Sequence, residues 1–102
     1  MNAMKGALVV YAKQLSQALA PEGIRVNCVS PGPVFIKGGS WDMIKTHLPA
    51  LYDSTLAQIP QGHLGSAEEV ANAVVFLASP AASLITGVNL VADGGFTKRV
   101  QL

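Results

Sequence analysis

Few side chains in this sequence are of a type that does chemistry, and their spacing narrows the choice further. There is one cysteine, Cys28, and there are two histidines, His47 and His63. No second histidine stands at a ligand spacing and no second thiol exists, so a metal site has no support. His47 reads as a surface residue of a short helix. Of the two tyrosines, Tyr11 falls on the apolar face of a long helix and reads as core. Tyr52 lies in an irregular middle segment, lining a pocket or packing at its rim. Trp41 and Met43 lie in the same segment, where they either shape an apolar pocket or form a satellite core. Lys5, taken by itself, is a solvated helix lysine. The sharpest local signal is Pro31-Gly32-Pro33-Val34, a tight turn just past a strand.

The elements that must position these residues follow from periodicity and punctuation. Residues 2 to 20 form a helix, with Met4, Leu8, Tyr11, Leu15 and Leu19 at steps of three and four on one face. Ala7, Val10 and Ala18 widen that face beyond half the girth, which predicts packing on two sides. Pro21-Glu22-Gly23 stops the helix. Ile24 to Ser30 then alternates as a strand, and Pro31-Gly32-Pro33 ends it because prolines lack the ladder N–H. The segment from about 35 to 62 is a helical insertion. Gly38-Gly39-Ser40 is its joint, and its two short helices, Trp41 to Leu48 and Ala50 to Ile59, are split by Pro49. Ser66-Ala67-Glu68-Glu69 is a capping box that opens a helix with Val70, Val74, Leu77 and Ala78 on one face. Gly87 releases a last strand, Val88 to Ala92, and Asp93-Gly94-Gly95 turns the chain into its tail. A strand, a crossover helix and a strand make a right-handed parallel βαβ unit. Ligands in such sheets sit beyond the carboxyl ends of the strands, at the Pro31 to Val34 turn and the insertion.

Bulk properties bound the function class. At 102 residues, half of them hydrophobic and 13% charged, the chain is one folded α/β domain rather than a disordered segment. So much apolar surface in so small a domain predicts a face that is buried against another chain or segment. A net charge of +1 gives no electrostatic footprint for nucleic acid or an anionic membrane. The longest apolar run, Ala7 to Ala12, is too short to span a bilayer, and no signal peptide is visible. One cysteine forbids an internal disulfide and fits a reducing cytoplasm.

Several motifs, in order and spacing, carry a resemblance. They are Gly23-Ile24-Arg25-Val26-Asn27, Pro31-Gly32, Pro60-Gln61-Gly62-His63-Leu64-Gly65, Glu68-Glu69-Val70-Ala71, Phe76-Leu77-Ala78-Ser79, Ile85-Thr86-Gly87 and Asp93-Gly94-Gly95. Together they resemble the carboxy-terminal part of the short-chain dehydrogenases/reductases, starting at the family's Tyr-x-x-x-Lys motif. The resemblance implies the C-terminal part of a Rossmann-type, doubly wound parallel sheet, forming a single incomplete domain over 1–102. It implies hydride transfer between a carbonyl and an alcohol, with NAD or NADP as cofactor.

By this resemblance Lys5 is the motif lysine. Its ammonium binds the nicotinamide ribose and lowers the pKa of the catalytic tyrosine, an opposite charge favouring the phenolate. Met1 occupies the tyrosine's slot. Pro31, Gly32 and Val34 form the turn whose backbone orients the nicotinamide carboxamide, while Trp41, Met43 and Tyr52 belong to the substrate loop. Two departures stand out: Ile36 replaces a common threonine, and His63 replaces a common arginine. The Gly-rich turn that holds the pyrophosphate has no counterpart here, and Gly38-Gly39 does not substitute for it. These 102 residues are therefore expected not to bind the cofactor alone and to lack activity alone. The expected partners are an upstream half and a second copy, docked through the 4–19 helix or through the last helix and strand. The alternative is a non-catalytic module that self-associates.

Overall fold

The structure, a computed structural model, describes Ala3 to Val100. Its elements are helix α1 (Ala3–Leu19), strand β1 (Cys28–Pro31), helices α2 (Ser40–His47), α3 (Pro49–Ala57) and α4 (Ala67–Ala78), and strand β2 (Asn89–Ala92). One-turn 3₁₀ segments follow α1, at Ala20–Glu22, and α4, at Pro80–Ala82. Strands β1 and β2 pair in a two-stranded sheet. The rungs Cys28 N–H to Val88 O and Gly32 N–H to Ala92 O advance by four residues on both strands, so the pairing is parallel. The α/β class and the crossover expected from the sequence are both present.

By its contacts the chain divides into two compact units. The first comprises residues 1–30 and 72–90, the second 31–71 and 91–102. Each is described by itself.

In the first unit, α1 turns inward only the Leu15 and Leu19 end of the face its three-and-four spacing suggests. Ser16 is buried, and Val9, Ala12, Leu15 and Leu19 are half-buried. Met4 is 81% exposed, Leu8 62% and Tyr11 59%, so Tyr11 is a surface residue here and not core. The reason is steric. A helix apolar around most of its girth has no unique inward face, and the small side chains at 12 and 16 allow the closest approach to another backbone. Gly87 takes that approach at φ +74°, where an added Cβ would lie 2.7 Å from Ser16 Oγ. The Ser16 hydroxyl is itself satisfied by Lys13 O at 2.6 Å.

The segment expected as a strand from Ile24 becomes regular only at Cys28. Before that it is held by side chains. Val26 receives Gly87 N–H at its carbonyl and donates its own N–H to Thr86 Oγ1. Asn27 brackets the same stretch, with Nδ2 donating to Ile85 O and Oδ1 accepting from Val88 N–H. The Arg25 guanidinium donates to Leu77 O at 2.7 Å, Ile85 O at 3.1 Å and Ser79 O at 3.2 Å. It thus satisfies a carbonyl of the last turn of α4, which a helix leaves unpaired, and two in the loop that follows.

The second unit contains the insertion. Pro49 sits at the first position of α3, so it starts that helix where the sequence suggested only a break. The capping box forms in full: Ser66 Oγ accepts from Glu69 N–H, and Glu69 Oε1 accepts from Ser66 N–H. Along α4, whose residues from 72 on belong to the first unit, Leu77 is buried and Val70 and Ala73 are half-buried, whereas Val74 and Ala78 are exposed. The inward stripe therefore runs 70, 73, 77, one step off the expected 70, 74, 77, 78. Thr55, Ile59 and Leu64 are the buried residues of the 31–71 stretch.

Candidate functional site

The turn after β1 is built by backbone proximity. Gly32 has an ordinary φ, but a Cβ there would fall 2.5 Å from Asp93 Cβ and 3.0 Å from Asp93 Cα. Only a residue without a side chain lets these two strand ends run this close. Val34 then pairs with Gly65 in a parallel bridge. Gly65 N–H donates to Pro33 O and Phe35 N–H donates to Gly65 O, both at 2.9 Å. In such a bridge the central residue's own N–H and C=O face the opposite side. Val34 therefore presents one donor and one acceptor on an edge that Gly65 does not use. That pair matches a primary carboxamide, which donates through its NH₂ and accepts through its C=O.

Beyond Val34, the insertion is organised around one cation. Lys45 Nζ of α2 lies 5.5 Å from the Phe35 ring centroid and 5.4 Å from that of Tyr52 on α3. Gly38, at φ +81°, donates its N–H to Asp42 Oδ2 and so closes the turn into α2. Trp41 and Tyr52 are half-buried, and Met43 is 60% exposed. His47 is exposed, as expected.

A cleft of about 350 Å³ lies in the same unit, lined by residues that include Gln61, His63, Glu69, Asp93 and Gly94. Trp41, Met43 and Tyr52 do not line it. His63 Nδ1 is 2.9 Å from Leu64 O, a contact in which Nδ1 carries a proton and donates. Asp93 accepts from Gly95 N–H at 3.0 Å and from Thr97 N–H at 2.9 Å. The Thr97 hydroxyl above all, and then these amides, hold its carboxyl below the ordinary 3.8 against a smaller opposing effect of burial. A carboxyl depressed in the folded state stabilises the fold above its unfolded pKa and loses that contribution as pH falls through the folded value. Acid titration of the wild-type fold should therefore show a loss of stability below pH 3.8 that the Asp93→Asn variant lacks.

Lys5, in the first unit, is exposed near the start of α1. The other candidates, Pro31, Gly32, Val34, Trp41, Met43 and Tyr52, belong to the second unit. Met1, which stands four residues before Lys5, lies outside the described residues. Among the described residues no cluster of three metal-ligating side chains occurs, and no helix is long and apolar enough to cross a membrane. The Lys45 arrangement was not legible in the sequence, because its partners sit ten residues before and seven residues after it.

Comparison with known proteins agrees with this geometry. The family model described as enoyl-(acyl carrier protein) reductase matches residues 1–97. The chain belongs to the short-chain dehydrogenase/reductase family. Isoepoxydon dehydrogenase of Aspergillus clavatus is 47% identical over 91 residues, covering 89% of this chain and 35% of that protein. A short-chain dehydrogenase/reductase of Brucella melitensis, described as a glucose/ribitol dehydrogenase, superposes with a TM-score of 0.79 at 40% identity. That match covers 93% of this chain and 36% of the other. The NADPH-bound short chain oxidoreductase of Pseudomonas aeruginosa PAO1 gives 0.80 at 32% identity, over 93% and 37% respectively. The α/β architecture is thus part of a Rossmann fold, and the chain spans about a third of the length of the relatives it matches.

In this chain, the sequence motifs have structural work that spacing alone did not reveal. The Arg and Asn of Gly23-Ile24-Arg25-Val26-Asn27 are the clamp on the end of α4 and on the approach to β2. The Asp of Asp93-Gly94-Gly95 folds the tail back on itself.

Proposed function

We propose that these residues form the nicotinamide-end segment of an NAD(P)-dependent oxidoreductase that interconverts a carbonyl and an alcohol. The observation that carries the reading is the Val34 edge, a backbone donor and acceptor at the carboxyl end of β1 that fits a nicotinamide carboxamide. NAD(P) bound there would supply the hydride. This chain's residues have the binding and orienting roles. Val34, set by Pro31 and Gly32, holds the carboxamide and fixes which ring face is presented. Lys5, as the family's motif lysine, holds the ribose hydroxyls and keeps a neighbouring phenol acidic. The 35–62 insertion, with Trp41, Met43 and Tyr52, covers the substrate.

The pyrophosphate turn and the proton-donating tyrosine belong to a segment outside this stretch, on the same or a companion polypeptide. The 102 residues alone therefore turn over no substrate. The lone thiol, Cys28, fits a reducing cytoplasmic setting. A chimera tests the reading, with residues 2–102 replacing the matched third of the Aspergillus clavatus enzyme so that the enzyme keeps its own residue in the slot of Met1. It is expected to retain measurable dehydrogenase activity. A folded chimera with none would contradict the proposal.

A second reading rests on the outward face of α1, where Met4, Leu8 and Tyr11 are exposed together. Such a stripe favours docking of a second copy, as a step in enzyme assembly or as the sole activity of a non-catalytic module. Light scattering at micromolar concentration is expected to give a dimer or larger species. Leu8→Asp should shift it to monomer while leaving helical circular dichroism intact, because Leu8 makes no core. A wild-type monomer would remove this reading.

A further inference from the structure

The insertion contains one feature that the family motifs do not include. Lys45 places a single ammonium over two rings, Phe35 at 5.5 Å and Tyr52 at 5.4 Å. The three residues come from three separate places: Phe35 from the turn after β1, Lys45 from the middle of α2, and Tyr52 from α3. Phe35 is also the residue next to Val34, and its N–H is spent on Gly65 O. The loop between α2 and α3 has no slack, since Leu48 caps α2 and Pro49 begins α3. On the near side, the turn into α2 hinges on Gly38, at φ +81°. Asp42 is the carboxylate on α2 itself, and its Oδ2 is engaged by Gly38 N–H.

We propose that Lys45 is a positioning residue that fastens both insertion helices to Phe35, and through Phe35 to the backbone edge of Val34. A cation held on two aromatic faces is directional, and it does not require a second ion to be desolvated as an ion pair does. The arrangement ties the cover of the site to the group that orients the nicotinamide. A shift of α2 away from the turn pulls the ammonium off the Phe35 ring. The fastening rests on the functional reading above for its purpose, but not for its geometry.

The test uses the full chain and its only tryptophan, Trp41, which lies on α2 four residues before Lys45. Acrylamide quenching of Trp41 and amide exchange across 40–57 are measured for the wild type, Lys45→Gln, Lys45→Arg and Tyr52→Leu. With no cation left over either ring, Lys45→Gln is expected to raise exchange in α2 and α3 about tenfold and to increase quenching. Lys45→Arg, which keeps a cation able to stack on rings, should return both readouts to near wild type. Tyr52→Leu should lie between, and adding Lys45→Gln to it should cost less than in the wild-type background. Unchanged exchange in Lys45→Gln would overturn the proposal, as would an arginine variant as loose as the glutamine one. A folded chimera without dehydrogenase activity would instead remove the functional reading and leave the fastening intact.

Discussion

Arg25→Ala is expected to destabilise the chain by about 3 kcal/mol, because three charge-assisted bonds disappear and Leu77 O and Ser79 O lose this donor, while Ile85 O keeps Asn27 Nδ2. The guanidinium reaches Leu77 O, Ser79 O and Ile85 O, so one side chain ties the approach to β1 to the end of α4 and the loop before β2. A loss of that size is a large fraction of the roughly 5–15 kcal/mol available to a typical domain. The three acceptors are all backbone carbonyls, and water can reach only part of the site, so they recover little by hydration. Arg25→Lys is expected to recover less than half, because a point charge cannot serve three acceptors in a fork. Urea unfolding followed by circular dichroism measures both. A midpoint unchanged by Arg25→Ala would mean that the carbonyls are solvated without penalty.

Gly32→Ala is the second large effect, of about 2 kcal/mol, and it acts at the site itself. The added methyl would meet Asp93 Cβ at 2.5 Å and Asp93 Cα at 3.0 Å. Asp93 cannot step aside cheaply, since Gly95 N–H and Thr97 N–H hold its carboxylate. The strand ends must separate, which displaces the Pro33–Gly65–Phe35 bonds that aim Val34. Gly6→Ala is the matched control, because nothing lies within 4 Å of a Cβ there. Within α1 it should stabilise by about 0.5–1 kcal/mol through helix propensity. A stabilised Gly32→Ala variant would refute the crowding at this turn.

What the sequence reveals in this protein depends on how local each interaction is. The capping box is a four-residue signal, and both of its bonds form as Ser66 and Glu69 predict. Pro49 separates the insertion helices because proline fixes φ, and the Asp93-Gly94-Gly95 turn forms because glycine adopts positive φ without steric cost. The inward face of α1 was not legible. Met4, Leu8 and Tyr11 form a more apolar stripe than Val9, Ala12 and Ser16, yet the small residues at 12 and 16 face inward, with Gly87 close against Ser16. Arg25 and Asn27 looked like the polar side of a strand, and their partners lie 52 to 61 residues away in sequence. At the site, the turn at Pro31 to Val34 was legible from its punctuation. The direction of Val34's free edge and the ring pair around Lys45 were not, since both depend on a bridge partner or a neighbouring helix.

The central claim is that the backbone of Val34 recognises a nicotinamide. Nitrogen-15 amide spectra of the chimera with the Aspergillus clavatus enzyme, titrated with reduced nicotinamide mononucleotide, test it most directly. That ligand carries the carboxamide and ribose without the adenylate half. The Val34 amide is predicted to move first and furthest, with Phe35 and the 40–57 amides following. Saturating shifts elsewhere in the chain, with Val34 unmoved, would contradict it.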